Sequence, residues 1–160
     1  MPAITFNFVT KGHCMLEFLK KVLSRDNTEM GEFANKTVLI VDDNPVDRKI
    51  IEKTLTKLGC RVLLAEDGEK GLQMAISQKP DIILSDCNMP KMDGVEMCLK
   101  LREHERTRDV PVIFLTGVNS PKKVVECFEL EAYNYMCKPI NSKILSSQIK
   151  EILQEHLISS

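Results

Sequence analysis

The sequence predicts an α/β domain: a five-stranded parallel sheet with helices on both faces. Three observations carry that expectation. Short aliphatic runs recur five times between residues 37 and 137. Each is followed by a stretch with apolar residues at helical spacing. The first run, TVLIV, is unbroken rather than alternating, as in a strand buried on both faces. Strands alternating with helices imply right-handed βαβ units and a covered parallel sheet.

The elements follow in order. TVLIV (37–41) ends in Asp42 and Asp43. Asn44 suits an N-cap and Pro45 a first helical position. Val46, Ile50, Ile51, Leu55 and Leu58 form a helical stripe, and Gly59 stops the helix. RVLLA (61–65) is the second strand, and Asp67 caps a helix containing Leu72, Ala75 and Ile76. DIILS (81–85) is the third strand and delivers Asp86; a helix follows from about Val95 to His104. VPVIFLT (110–116) is the fourth, ending at Thr116. Ser120 and Pro121 then open a helix through Val124, Val125 and Phe128. YNYMC (133–137) is the fifth strand, ended by Lys138-Pro139, and Asn141 caps a last helix with Ile144, Leu145, Ile149, Ile152 and Leu153 on one face. For five such strands the flavodoxin-like order 2-1-3-4-5 is expected. Residues 1–35 stand outside the repeat, as an N-terminal extension. Within it, ITFNFVT alternates like a strand, MLEFLKKVL (15–23) carries a helical stripe, and SRDNTEMGE (24–32) is polar and linker-like.

Composition narrows the function classes. With 160 residues the chain suits one domain plus an appendage, and 43% hydrophobic content supplies a core. A formal net charge of −1 gives no global pull on DNA or an anionic membrane, and the absence of Trp argues against base stacking. The six cysteines form no C-x-x-C pair, and the three histidines have no ligand spacing, so buried free thiols in a reducing compartment are expected rather than disulfides or zinc. The N-terminus lacks the basic start of a signal peptide, and no run of about 18 apolar residues exists to span a bilayer. A cytoplasmic location is the expectation.

The chemistry sits at one end of the sheet. In an open parallel sheet, ligands bind beyond the carboxyl ends of the strands. There the first strand delivers Asp42 and Asp43, the third Asp86, the fourth Thr116 and Gly117, and the fifth Lys138. In the expected order these four strands are neighbours. Three carboxylates brought together either rise in pKa or share a cation. Hard oxygen donors of this kind suit Mg²⁺. Lys138 adds a fixed positive charge, Thr116 a hydroxyl, and Gly117 room and a backbone N–H. An aspartate can accept a phosphoryl group covalently, and the remaining groups suit charge on its oxygens. Asp86 is thus the candidate acceptor.

The stretches VLIVDDNP, ILSDCNMPKMDG, VIFLTG and YMCKP, in this order and spacing, closely resemble the response-regulator receiver domain of two-component signalling. The resemblance covers about residues 36–157. The strand order is one this family is known for, so that expectation rests partly on the resemblance. It implies that Asp86 is the phosphoacceptor, that Asp43 ligates Mg²⁺ directly and Asp42 mainly through water, and that Asn88 offers its backbone carbonyl to the metal. It implies that Thr116 and Lys138 hold phosphoryl oxygens and that Tyr135 is the switch aromatic, turning as the Thr116 hydroxyl is drawn inward. The donor would be a sensor histidine kinase or a histidine phosphotransfer protein. Output would pass to a downstream protein through the helix opening at Ser120, the fifth strand and the last helix, because few residues follow that helix. One departure is Glu131-Ala132, where the family often has Gly-Ala before the fifth strand. The expected role is signalling rather than turnover of a substrate. Two alternatives remain: a phosphatase of the haloacid-dehalogenase type, which would need a D-x-D loop on its first strand, and a receiver fragment of a longer regulator.

Overall fold

A computed structural model describes residues 33–117 and 133–158, with side chains through residue 155. The elements expected within residues 1–32, the helix opening at Ser120 and the Glu131-Ala132 turn lie outside these residues. All the described residues belong to the second of two units into which the chain divides, 1–30 and 31–160.

Five strands are present: β1 (Thr37–Val41), β2 (Arg61–Ala65), β3 (Ile82–Asp86), β4 (Val112–Thr116) and β5 (Asn134–Cys137). All pair in parallel, in the order β2-β1-β3-β4-β5. Every residue of β3 and β4 is buried, whereas the edge strands β2 and β5 are partly exposed. The pleat sends alternate side chains to opposite faces. Val38 and Ile40 enter one core, Leu39 and Val41 the other.

The first core is closed by α1 (Pro45–Lys57) and α4 (Ser142–Ile158), through Ile51, Leu55, Leu145, Ile149, Ile152 and Leu153. The second is closed by α2 (Gly68–Gln78) and α3 (Gly94–Glu103), through Ala75, Met97, Cys98 and Leu101. Each fully buried aliphatic side chain contributes about 1.5–3 kcal/mol of transfer free energy. The caps are those the sequence announces. Asn44 accepts from the Val46 amide, Asp67 from Lys70 and Asn141 from Lys143 and Ile144. Asp93 caps α3 by accepting from Glu96, and Gly59, with φ of 86°, reverses the chain after α1.

Several expectations need correction. The apolar stripe of α1 is narrower than its sequence: Val46 and Ile50 are exposed. At 3.6 residues per turn they lie off the Ile51–Leu55 line that meets the sheet. Ile144 is exposed for the same reason, roughly a third of a turn from the Leu145–Ile149 line. β4 begins at Val112, two residues later than the run suggests, because Pro111 has no amide hydrogen for the ladder. Cys60, Cys87 and Cys98 are buried free thiols, but Cys137 is exposed. It alternates with buried Met136 on an edge strand. His104 is half-buried, and its Nδ1 accepts from the Arg106 amide. Among the described residues, no helix is long and apolar enough to cross a membrane.

Candidate functional site

Each site residue stands at or just past the carboxyl end of a strand. Val41 pairs with Ser85, Asp86 with Leu115 and Thr116 with Cys137, so β1, β3, β4 and β5 end at one level. Asp42 and Asp43 follow β1 directly, Asp86 closes β3, Thr116 closes β4 and Lys138 follows β5.

The three carboxylates meet. Asp42, Asp43 and Asp86 each place an oxygen within 4.8 Å of the others, with Asp42 and Asp86 buried and Asp43 exposed. Lys138 Nζ donates to Asp42 Oδ2 at 2.8 Å and to Asp86 Oδ2 at 2.9 Å, from residues 96 and 52 positions away in the chain. The second oxygens are held by backbone: the Asn44 amide donates to Asp42 Oδ1 at 2.8 Å and the Asn88 amide to Asp86 Oδ1 at 3.0 Å. Those two bonds fix both carboxylates beside the loops that follow their strands.

The electrostatics are lopsided. Burial pushes the Asp42 carboxyl above its ordinary value, against the opposing pull of Lys138 and the Asn44 amide. For Lys138, burial would lower the value, but its bonds to Asp42, Asp47 and Asp86 outweigh that and hold it well above an ordinary lysine. The ammonium is therefore permanently charged, and negative charge still exceeds positive. Hard oxygen donors clustered this closely, with negative charge in surplus, fit a small divalent cation.

Thr116 is buried at the end of β4, and its Oγ1 donates to the Gly117 carbonyl at 3.1 Å rather than to a carboxylate. Gly117 is exposed, and among the described residues a Cβ there would meet nothing within 4 Å. Tyr135 pairs with Phe114 across β4 and β5, which sets it on the same face of the sheet as Thr116. The residue is 38% exposed and lines a groove of about 400 Å³ with Met136, Cys137 and Ile144. Thr116 therefore stands beside the carboxylate cluster with its hydroxyl turned to the Gly117 carbonyl, and Tyr135 lies one pleat repeat back on the same face.

Sequence reasoning missed two contributors. Asp47, in the first turn of α1, gives Lys138 a third carboxylate through Oδ2 at 2.9 Å. The signal was available: Asn44-Pro45 fixes where the helix starts, and an acid in its first turn lies at the sheet's carboxyl end. Gly94 is the other. A Cβ on it would come within 2.0 Å of the Asp86 carbonyl oxygen, so only glycine lets α3 begin against β3.

Residues 38–150 match the family described as response regulator receiver domain. The DNA-binding dual master transcriptional regulator RpaA of Synechocystis is 33% identical over 117 residues, 73% of this chain and 48% of that protein. The chain thus spans about half the length of such curated relatives. The structure is similar to that of Vibrio cholerae chemotaxis protein CheY4, with TM-score 0.69 and 32% identity, covering 73% of this chain and 98% of that one. It is also similar to the receiver domain of sensor histidine kinase PA1611 from Pseudomonas aeruginosa, solved with magnesium coordinated in its active-site cleft. There the TM-score is 0.65 and the identity 36%, covering 75% of this chain and 95% of that one.

Proposed function

The chain belongs to the response-regulator receiver family, and on that premise we propose that it accepts a phosphoryl group on Asp86 from a phosphohistidine partner in a Mg²⁺-dependent step. The observation that carries this reading is the bridge from Lys138 to Asp42 and Asp86 with Asp43 alongside. A merely structural lysine needs one carboxylate; this one lies in a surplus of them, beside a carboxylate held by a loop amide and reachable from the strand end.

Asp43, Asp86 and the Asn88 carbonyl would hold the cation, with Asp42 acting mainly through bound water. When bound, Mg²⁺ supplies positive charge against that developing on the phosphoryl oxygens. The remaining roles fall to the chain. The Asn88 amide orients Asp86 through Oδ1. A carboxylate oxygen of Asp86 attacks phosphorus. The new P–O bond forms as the P–N bond to the donor imidazole breaks, and the imidazole leaves with the bonding pair and takes up a proton. Lys138 passes an N–H from Asp86 to a phosphoryl oxygen. Thr116 rotates its hydroxyl from the Gly117 carbonyl to another, and the Gly117 N–H serves a third. The neutralised charge is preorganised rather than recruited, which is where phosphoryl-transfer catalysis gains most.

Tyr135 then acts as the switch, moving on its shared face toward the space Thr116 leaves. The side of the domain formed by β5 and α4 carries the output to a downstream protein. That is a two-state element biased by a local charge event. The receiver domain is residues 36–157 and residues 1–35 an extension; DNA binding in a relative's name belongs to that relative. A haloacid-dehalogenase-type phosphatase has no support, since β1 ends in adjacent acids and the family match is to receivers.

The test is intact-mass stoichiometry with a small acyl phosphate. One phosphoryl group is expected with Mg²⁺ and none with a chelator. Asp86→Asn should accept none; full labelling of that variant would remove Asp86 from the acceptor role.

A further inference from the structure

Lys138 has three N–H donors, and three carboxylates take them: Asp42, Asp47 and Asp86. These partners are not equivalent. Asp42 and Asp86 belong, with Asp43, to the oxygen cluster that could hold a metal; among the described residues Asp47 is not part of it. A cation entering that cluster competes with the ammonium for two of its three partners. Asp47 is the partner the competition leaves alone. It sits on a different element, three residues past the N-cap of α1, and its side chain is 21% exposed beside a lysine that is 19% exposed.

We propose that Asp47 is a positioning residue that holds the Lys138 ammonium beside Asp86 when a divalent cation takes Asp42 and Asp86 from it. This inference rests on the reading of the site given above. Without Asp47, Lys138 has two choices. It keeps its hold on Asp42 and Asp86 and opposes the cation at close range, or it swings out toward water and is lost to the phosphoryl group. The first course weakens cation binding and the second weakens phosphoryl transfer. Because the buried Asp42 and Asp86 carboxylates are the stronger partners for an ammonium, the first course wins.

Calorimetric titration of the 160-residue chain with Mg²⁺ tests this without any turnover. Asp47→Asn should weaken binding roughly five-fold, the scale of a partly exposed ion pair. Asp47→Glu, which keeps the charge and reaches further, should stay within about two-fold of wild type. With Lys138 already replaced by Ala, the same Asp47→Asn change should cost less than about two-fold, because only a distant charge is then lost. If Asp47→Asn fails to fold, Asp47→Ser carries the same comparison. Unchanged Mg²⁺ affinity in Asp47→Asn overturns the inference, as does an equal loss with and without Lys138. A wild-type chain that binds no Mg²⁺ overturns the reading of the site together with it. A wild type that binds while Asp47→Asn binds equally well overturns this inference alone.

Discussion

At the amino ends of the strands, one carboxylate meets one ammonium. Asp81 Oδ2 accepts from the Thr37 amide at 2.7 Å, and its Oδ1 lies 3.4 Å from Lys36 Nζ. The Asp81 amide returns a bond to the Thr37 carbonyl at 2.8 Å. That carboxylate ties β1 to the start of β3, and its charge is matched. At the carboxyl ends of the same strands, Asp42, Asp43, Asp47 and Asp86 crowd around Lys138. The residue types are the same at the two ends, and the charge count is not. A balanced pair serves the fold, whereas an excess of fixed negative charge costs stability unless something else is bound.

The largest test of this contrast is functional. Asp86→Asn should abolish phosphoryl acceptance, whereas Asp81→Asn at the opposite end should leave it intact and lower stability by about 1 kcal/mol or less, since that pair is partly exposed. Equal loss of acceptance in both, measured by intact mass, would erase the distinction.

Removing the ammonium shared by these carboxylates comes next. Lys138→Ala leaves Asp42 and Asp86 without their shared donor and should lower stability by about 1–3 kcal/mol in denaturant unfolding. Added Mg²⁺ should recover part of that loss. No recovery would mean the carboxylates do not act together on a cation.

A steric comparison at the same end follows. Gly94→Ala drives a Cβ against the Asp86 carbonyl and should cost about 1–3 kcal/mol while slowing phosphorylation. Gly117→Ala meets nothing among the described residues and should cost little. Thermal melts and donor-labelling rates on the pair decide it.

The smallest effect is the most specific in sign. The folded-state pKa of Asp42 lies above its unfolded value, first because the group is buried. Folding therefore favours the protonated carboxyl. The stability this provides is present below the unfolded value of 3.8 and is lost as pH rises through the higher folded value. At neutral pH without metal, ionised Asp42 is a liability. Asp42→Asn should raise the melting temperature by roughly 2–4 °C there. The difference from wild type should shrink as pH falls through the carboxylate range or as Mg²⁺ is added. Asp81→Asn should move the other way.

Much of this was legible in the sequence, for a physical reason. Thr37–Val41 and Arg61–Ala65 are bounded by residues that cannot continue a strand comfortably, so their limits could be read directly. Asp42, Asp86, Thr116 and Lys138 stand immediately at the ends of apolar runs, and a parallel sheet brings such ends to one level. Asp47 escaped notice because it lies on a helix, where only the packing of α1 determines which strand-end lysine it reaches. Val46, Ile50 and Ile144 share the helical period yet are exposed, because a period shows that a stripe exists, not how wide a strip of it the sheet covers. The close approach at Gly94 was equally hidden, since it depends on where α3 starts against β3.

The crowded end of the sheet is proposed to receive a phosphoryl group on one particular oxygen-bearing side chain. Borohydride reduction after treatment with an acyl phosphate and Mg²⁺ converts an acyl-phosphorylated aspartate to homoserine, which peptide mass mapping locates. Conversion is expected at position 86 alone, dependent on Mg²⁺. Conversion at Asp42, Asp43 or Asp47, or none at position 86 under saturating Mg²⁺, would contradict it.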